Sequence, residues 1–206
     1  MEIIEGDWSF SCSDDCCKAS KLDEESFYRN RCEMLDGFKA VDIVIYNDKH
    51  KQICFLECKD FSNHETENKW RLIPNNGAKR ETNKYVKDGK DSLDIEFEKK
   101  VVSSIACIYG AKTMAKDNDI SQALKDMAEK TFSSNVLKNK IYVALFVEGI
   151  TKVKTRTPEM QMSCLMEAIK NKLKWLNCKV YVVNNKSVKE TPLIDFFEVR
   201  KVAKDN

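Results

Sequence analysis

Hydrophobic and polar positions along this chain alternate between a strand rhythm and a helix rhythm. Lys39-Ala40-Val41-Asp42-Ile43-Val44-Ile45-Tyr46 and Gln52-Ile53-Cys54-Phe55-Leu56-Glu57-Cys58-Lys59 are rich in β-branched and aromatic residues. The polar stretch Asn47-Asp48-Lys49-His50-Lys51 between them predicts a hairpin. Before it, Tyr28, Cys32 and Leu35 fall on one stripe, which predicts a helix from Asp23 to Leu35 with Gly37 as its stop. After it comes a long polar connection over 60–92, then helical spacing from Asp94 to Lys116 and from Ile120 to Phe132. Ile141-Tyr142-Val143-Ala144-Leu145-Phe146-Val147 is a continuous apolar run and predicts a strand buried on both faces. A helix from Pro158 to Leu176 and a strand over Lys179–Val183 follow, and the tail through Phe196 and Phe197 fits neither rhythm clearly. This order predicts one α/β domain over residues 1–206, a mixed central sheet flanked by helices on both sides.

Composition narrows the class. A third of the 206 residues are charged, yet the net charge is only +2, so any footprint for a polyanion must be local. No apolar run is long enough to span a bilayer, and the acidic start lacks the order of a signal peptide, which together predict a cytoplasmic protein. Nine cysteines are many for such a chain. Cys12, Cys16 and Cys17 form an irregular cluster, and the two histidines, His50 and His64, lie far from it in sequence. That spacing matches no standard zinc pair, so structural thiols are the expectation and a cysteine-based metal or redox protein is the weaker reading.

The chemistry concentrates on the predicted hairpin. Glu57 and Lys59 are two apart on a strand and leave the same face. If Asp48 to Lys51 form the turn, Asn47 pairs with Gln52, Val44 with Phe55 and Tyr46 with Ile53, and Asp42 falls opposite Glu57. A slip of one residue would send Asp42 to the other face. In that register Val41, Ile43, Cys54, Leu56 and Cys58 line the reverse face, so both faces are apolar and the hairpin is covered. Two opposed carboxylates in covered surroundings are costly unless they hold a cation. The plainer alternative makes Glu57 and Lys59 a surface ion pair and Asp42 a strand-end charge.

Ala40-Val41-Asp42-Ile43-Val44-Ile45 followed by Phe55-Leu56-Glu57-Cys58-Lys59-Asp60-Phe61 resembles the D…ExK core of the PD-(D/E)xK nuclease superfamily. Val41 stands where the name-giving proline would be, and Trp8-Ser9-Phe10 is the available candidate for a further core strand. The resemblance implies a restriction-endonuclease-like core and a Mg²⁺-dependent endonuclease, with Mn²⁺ able to substitute. It implies DNA rather than RNA as substrate, in defence or repair, and pairing into a homodimer or larger complex. Asp42, Glu57 and Lys59 are its catalytic set, with Glu24 of the first helix as a further acid. Asp42 and Glu57, with Cys58 between the glutamate and the lysine, are its metal contacts. The alternative within the same resemblance is a catalytically inactive subunit or interaction module. The basic stretch after the motif carries Lys69, Arg71, Lys79, Arg80, Lys84 and Lys87 with Trp70 and Tyr85 interleaved, which reads equally as a surface that grips phosphates and stacks a base or as a solvated flexible loop.

Overall fold

A computed structural model describes residues 1–12, 15–74, 91–114, 118, 120–132, 140–152 and 155–202. Its centre is a five-stranded sheet of β3 (Cys17–Ser20), β4 (Ile43–Asn47), β5 (Gln52–Asp60), β6 (Lys140–Glu148) and β7 (Cys178–Val183), in that order across the sheet. The pairs β3–β4 and β4–β5 are antiparallel, whereas β5–β6 and β6–β7 are parallel. A smaller three-stranded sheet is formed by β1 (Glu2–Glu5), β2 (Trp8–Cys12) and β8 (Phe197–Lys201), which brings the two ends of the chain together.

The helices are α1 (Glu65–Asn68), α2 (Leu93–Thr113), α3 (Gln122–Thr131) and α4 (Pro158–Lys172). α4 begins at a proline, which has no amide hydrogen to lose at that position, and Thr157 caps the Met160 amide. α2, α3 and α4 cover one face of the central sheet, where Phe97, Val101, Leu124 and Leu165 meet Val44, Phe55, Val143 and Leu145. The other face packs on the small sheet, where Trp8, Phe10, Phe197 and Val199 meet Ile43, Ile45, Leu56 and Phe146. The class is therefore mixed α/β as expected, but the long helices lie on one face only; the second layer is β-sheet. Each fully buried side chain such as Phe55 or Phe97 contributes roughly 1.5–3 kcal/mol relative to exposure.

Two local expectations also change. The strand beside β4 is Cys17–Ser20, while Trp8-Ser9-Phe10 belongs to the small sheet. The predicted helix from Asp23 to Leu35 is a short turn over Leu22–Glu24 and a wide π-type turn over Tyr28–Cys32; Leu35 is exposed.

The hairpin has the counted register. Asn47 pairs with Gln52, and the pairing runs unbroken to Ile43 opposite Leu56. The turn is held by Asn47, fully buried, whose Oδ1 accepts from the His50 amide at 3.1 Å and whose Nδ2 donates to the Asp195 carbonyl at 2.8 Å. At the far end, β6 closes on Gly149, with φ +70°. A β-carbon there would lie 2.2 Å from the Ser62 nitrogen, so only glycine lets the chain leaving β6 cross so close behind β5.

Candidate active site

Asp42 immediately precedes β4, Glu57 and Lys59 lie near the end of β5, and Lys100 comes from α2. Asp42 is aimed by two contacts. Ser104 Oγ accepts from the Val41 amide at 2.9 Å and donates to the Lys100 carbonyl at 2.8 Å, tying α2 to the start of the strand. The Cys58 amide then donates to Asp42 Oδ2 at 2.8 Å. Val41 packs with the helix-side cluster rather than on the reverse face, because the strand alternation begins only at Ile43.

Glu57 is completely buried, which excludes the surface-pair alternative. Its Oε1 lies 2.5 Å from Lys59 Nζ and 2.5 Å from Lys100 Nζ. Lys100 Nζ also reaches Asp42 Oδ1 at 3.3 Å, so one ammonium spans both acids. Glu57 Oε2 is buried and has no hydrogen-bond partner among the described residues. Burial pushes the Glu57 carboxyl above the usual carboxylate range, with Lys59 pulling against that shift. For Lys100, burial acts to lower the pKa, but Glu57 and Asp42 outweigh it and hold the ammonium above the ordinary lysine range.

A further acid and base frame the group. Glu96, one turn before Lys100 on α2, faces Lys59 at 3.7 Å and pairs closely with Arg71. Arg71 in turn stacks over the Phe61 ring, 5.3 Å from its centroid. Beside these residues a cleft of about 600 Å³ opens, lined by Lys39, Trp70, Arg71, Asp91, Glu96, Lys99 and Lys100 among others. Lys99 is held by Asp91 at 2.6 Å, whereas Lys39 stands exposed at the rim.

Asp42, Glu57 and Lys59 therefore come together as expected. Glu24 does not join them: it is exposed and pairs with Lys21 at 3.2 Å, because the turn carrying it follows β3 and is not a helix laid against the hairpin. Cys58 turns its side chain to the reverse face, where burial pushes the thiol far up. What it gives the site is its backbone amide. Among the basic residues, Lys69 and Arg71 lie on the short turn Lys69–Leu72, and Lys79, Arg80, Lys84 and Lys87 lie outside the described residues. Cys32, Cys54, Cys58, Cys107, Cys164 and Cys178 are free thiols, and no group of three or more His, Cys, Asp or Glu able to hold a metal occurs among the described residues.

Lys100 is the member that motif reading missed. A signal for it existed: Leu93, Phe97, Lys100, Ser104, Cys107 and Ala111 recur at steps of four and three, and all are buried. A lysine on such a stripe needs a buried acid to face.

The chain belongs to a family of unknown function, DUF6661, whose family model matches residues 25–195. That span contains Asp42, Glu57, Lys59 and Lys100 and excludes β1, β2, β3 and β8. No curated protein and no solved structure matches the chain. No helix among the described residues is long and apolar enough to cross a membrane.

Proposed function

We propose that this protein is a metal-dependent nuclease of the PD-(D/E)xK type that hydrolyses phosphodiester bonds, with DNA as its substrate. The observation that carries the reading is the meeting of Asp42 and Glu57 at one end of adjacent strands, with Glu57 Oε2 buried and unsatisfied. A buried carboxylate oxygen without a partner costs about 1–3 kcal/mol or more, and a cation would remove that cost. Three strands running antiparallel, then α2, then the parallel strand β6 is an order that supports a restriction-endonuclease-like core. One departure is that the first helical turns follow β3 instead of preceding it.

The donor set fits a hard cation. Mg²⁺ takes oxygen ligands and is commonly held by one or two carboxylates, with waters and substrate phosphate completing its shell. Asp42 and Glu57 would hold it here. Bound there, Mg²⁺ would polarise a phosphoryl oxygen and lower the pKa of a water. The Cys58 amide keeps Asp42 aimed, Lys59 offers positive charge where the phosphorane-like transition state gathers negative charge, and Arg71 and Lys39 line the approach for flanking phosphates.

A second reading has its own support. Lys59 and Lys100 already match the two carboxylates charge for charge, as a non-catalytic subunit of the same fold would have it. Incubation with duplex DNA, single-stranded DNA and RNA, with Mg²⁺ or with chelator, separates the two. The nuclease reading expects cleavage that chelator abolishes and that Asp42→Asn lacks; intact substrates under every condition would favour the subunit.

A further inference from the structure

We propose that Lys100 is a built-in counter-ion that a divalent cation must displace, and that nucleic acid entering the neighbouring cleft draws it away. The inference rests on the metal-dependent reading above and adds what controls it.

The geometry leaves one gap for two cations. Lys100 Nζ lies 2.5 Å from Glu57 Oε1 and 3.3 Å from Asp42 Oδ1, between the two acids. Asp42 and Glu57 would hold a divalent cation where Lys100 Nζ now sits, and two cations drawn to the same oxygens would repel and exclude each other. Lys100 fills the gap incompletely, because Glu57 Oε2 keeps no partner among the described residues. The resting site is therefore stable enough to fold and still lacks something a cation would supply.

Lys100 also has somewhere to go. Its side chain is only 11% exposed, yet it lines the cleft of about 600 Å³ together with Glu96 and Lys39. A flexible four-carbon stem lets the ammonium swing from the strand ends toward that opening. A phosphate in the cleft would give it a new partner and clear the acids. Metal and nucleic acid would then each strengthen the other's binding, since a coupling of this kind is reciprocal. The site would bind metal weakly until a substrate arrives.

The test is calorimetric titration of Mn²⁺ into the wild type, Lys100→Met and Lys100→Arg, with and without a nuclease-resistant phosphorothioate duplex. In the wild type, Mn²⁺ affinity should rise roughly tenfold or more when the duplex is present. Lys100→Met should bind Mn²⁺ roughly tenfold or more tightly than wild type without the duplex, and the coupling should vanish. Its melting temperature should be low in chelator and rise further with Mn²⁺ than that of the wild type. Lys100→Arg, whose guanidinium grips carboxylates in two places, should bind Mn²⁺ more weakly than wild type. This second variant decides the matter if Lys100→Met does not fold. Equal Mn²⁺ affinity in all three proteins would overturn the counter-ion role while leaving the metal site standing. Uptake in none of them would overturn both. Mn²⁺ uptake without coupling to the duplex in the wild type would overturn the substrate-driven release.

Discussion

Lys100 Nζ sits 2.5 Å from Glu57 Oε1, so a residue of the long helix completes a site whose acids sit on a strand hairpin. The contact joins two elements that are far apart in sequence and packs a charge against a completely buried carboxylate. Such a pair is poor evidence of stability by itself, because desolvation offsets much of the Coulomb gain. Its presence at the open end of the strands, beside a cleft, points to use.

Glu57 and Lys59 should separate in their effects. Glu57→Gln keeps the shape but removes the charge, and should lower both Mn²⁺ affinity and cleavage. Lys59→Met leaves both carboxylates in place. It should keep Mn²⁺ binding while cleavage falls by about a hundredfold or more, the scale of a lost transition-state contact. Titration of Mn²⁺ beside a cleavage assay checks this; parallel losses in both variants would mean that Lys59 only holds the site together.

The basic stretch tests the partner. Lys79, Arg80 and Lys84 lie outside the described residues, and the expectation for them comes from sequence alone. Replacing all three with alanine should weaken nucleic-acid binding and reduce the log–log salt slope by roughly 0.7–0.9 for each lost phosphate contact. Binding measured across a salt series reads the slope directly; an unchanged slope would remove the stretch from the interface.

Gly149 tests the scaffold behind the acids. Alanine there would force a left-handed backbone on a residue with a side chain and drive a β-carbon into the Phe61–Ser62 backbone. Gly149→Ala should cost roughly 2–4 kcal/mol in urea unfolding. The clash falls on the chain just after β5, so the cleavage proposed for the site should fall in the protein that remains folded. A variant as stable as the wild type would contradict this packing.

How much of this was legible in the sequence depends on the range of the interaction. The register from Asn47–Gln52 to Ile43–Leu56 was readable because a short polar turn between β-rich runs leaves few pairings, and it placed Asp42 beside Glu57. The long helix at Leu93–Thr113 and the buried strand at Lys140–Glu148 were readable from periodicity. Cys17–Ser20 was not, because four residues with a lysine carry too little pattern to mark a strand. Phe197–Lys201 was ambiguous because it pairs with Trp8–Cys12 at the other end of the chain, a contact no local pattern encodes. Glu24 failed for a similar reason: a stripe predicted one helix where the chain folds into two short turns. Lys100 belongs to no motif, and only its place on the buried stripe from Leu93 to Ala111 marks it.

On the proposed reading, Asp42 and Glu57 hold a metal ion that promotes phosphodiester cleavage. Conversion of supercoiled plasmid across a Mn²⁺ series, with wild type beside Asp42→Asn, tests it most directly. The Asp42→Asn variant retains an oxygen for the Cys58 amide, so its fold should persist while its charge is lost. The wild type should nick the plasmid in proportion to Mn²⁺, or linearise it if two copies act together, and Asp42→Asn should leave it supercoiled. Equal cutting by both proteins, or none by a folded wild type at any Mn²⁺ concentration, would rule out a metal-dependent nuclease site at Asp42 and Glu57.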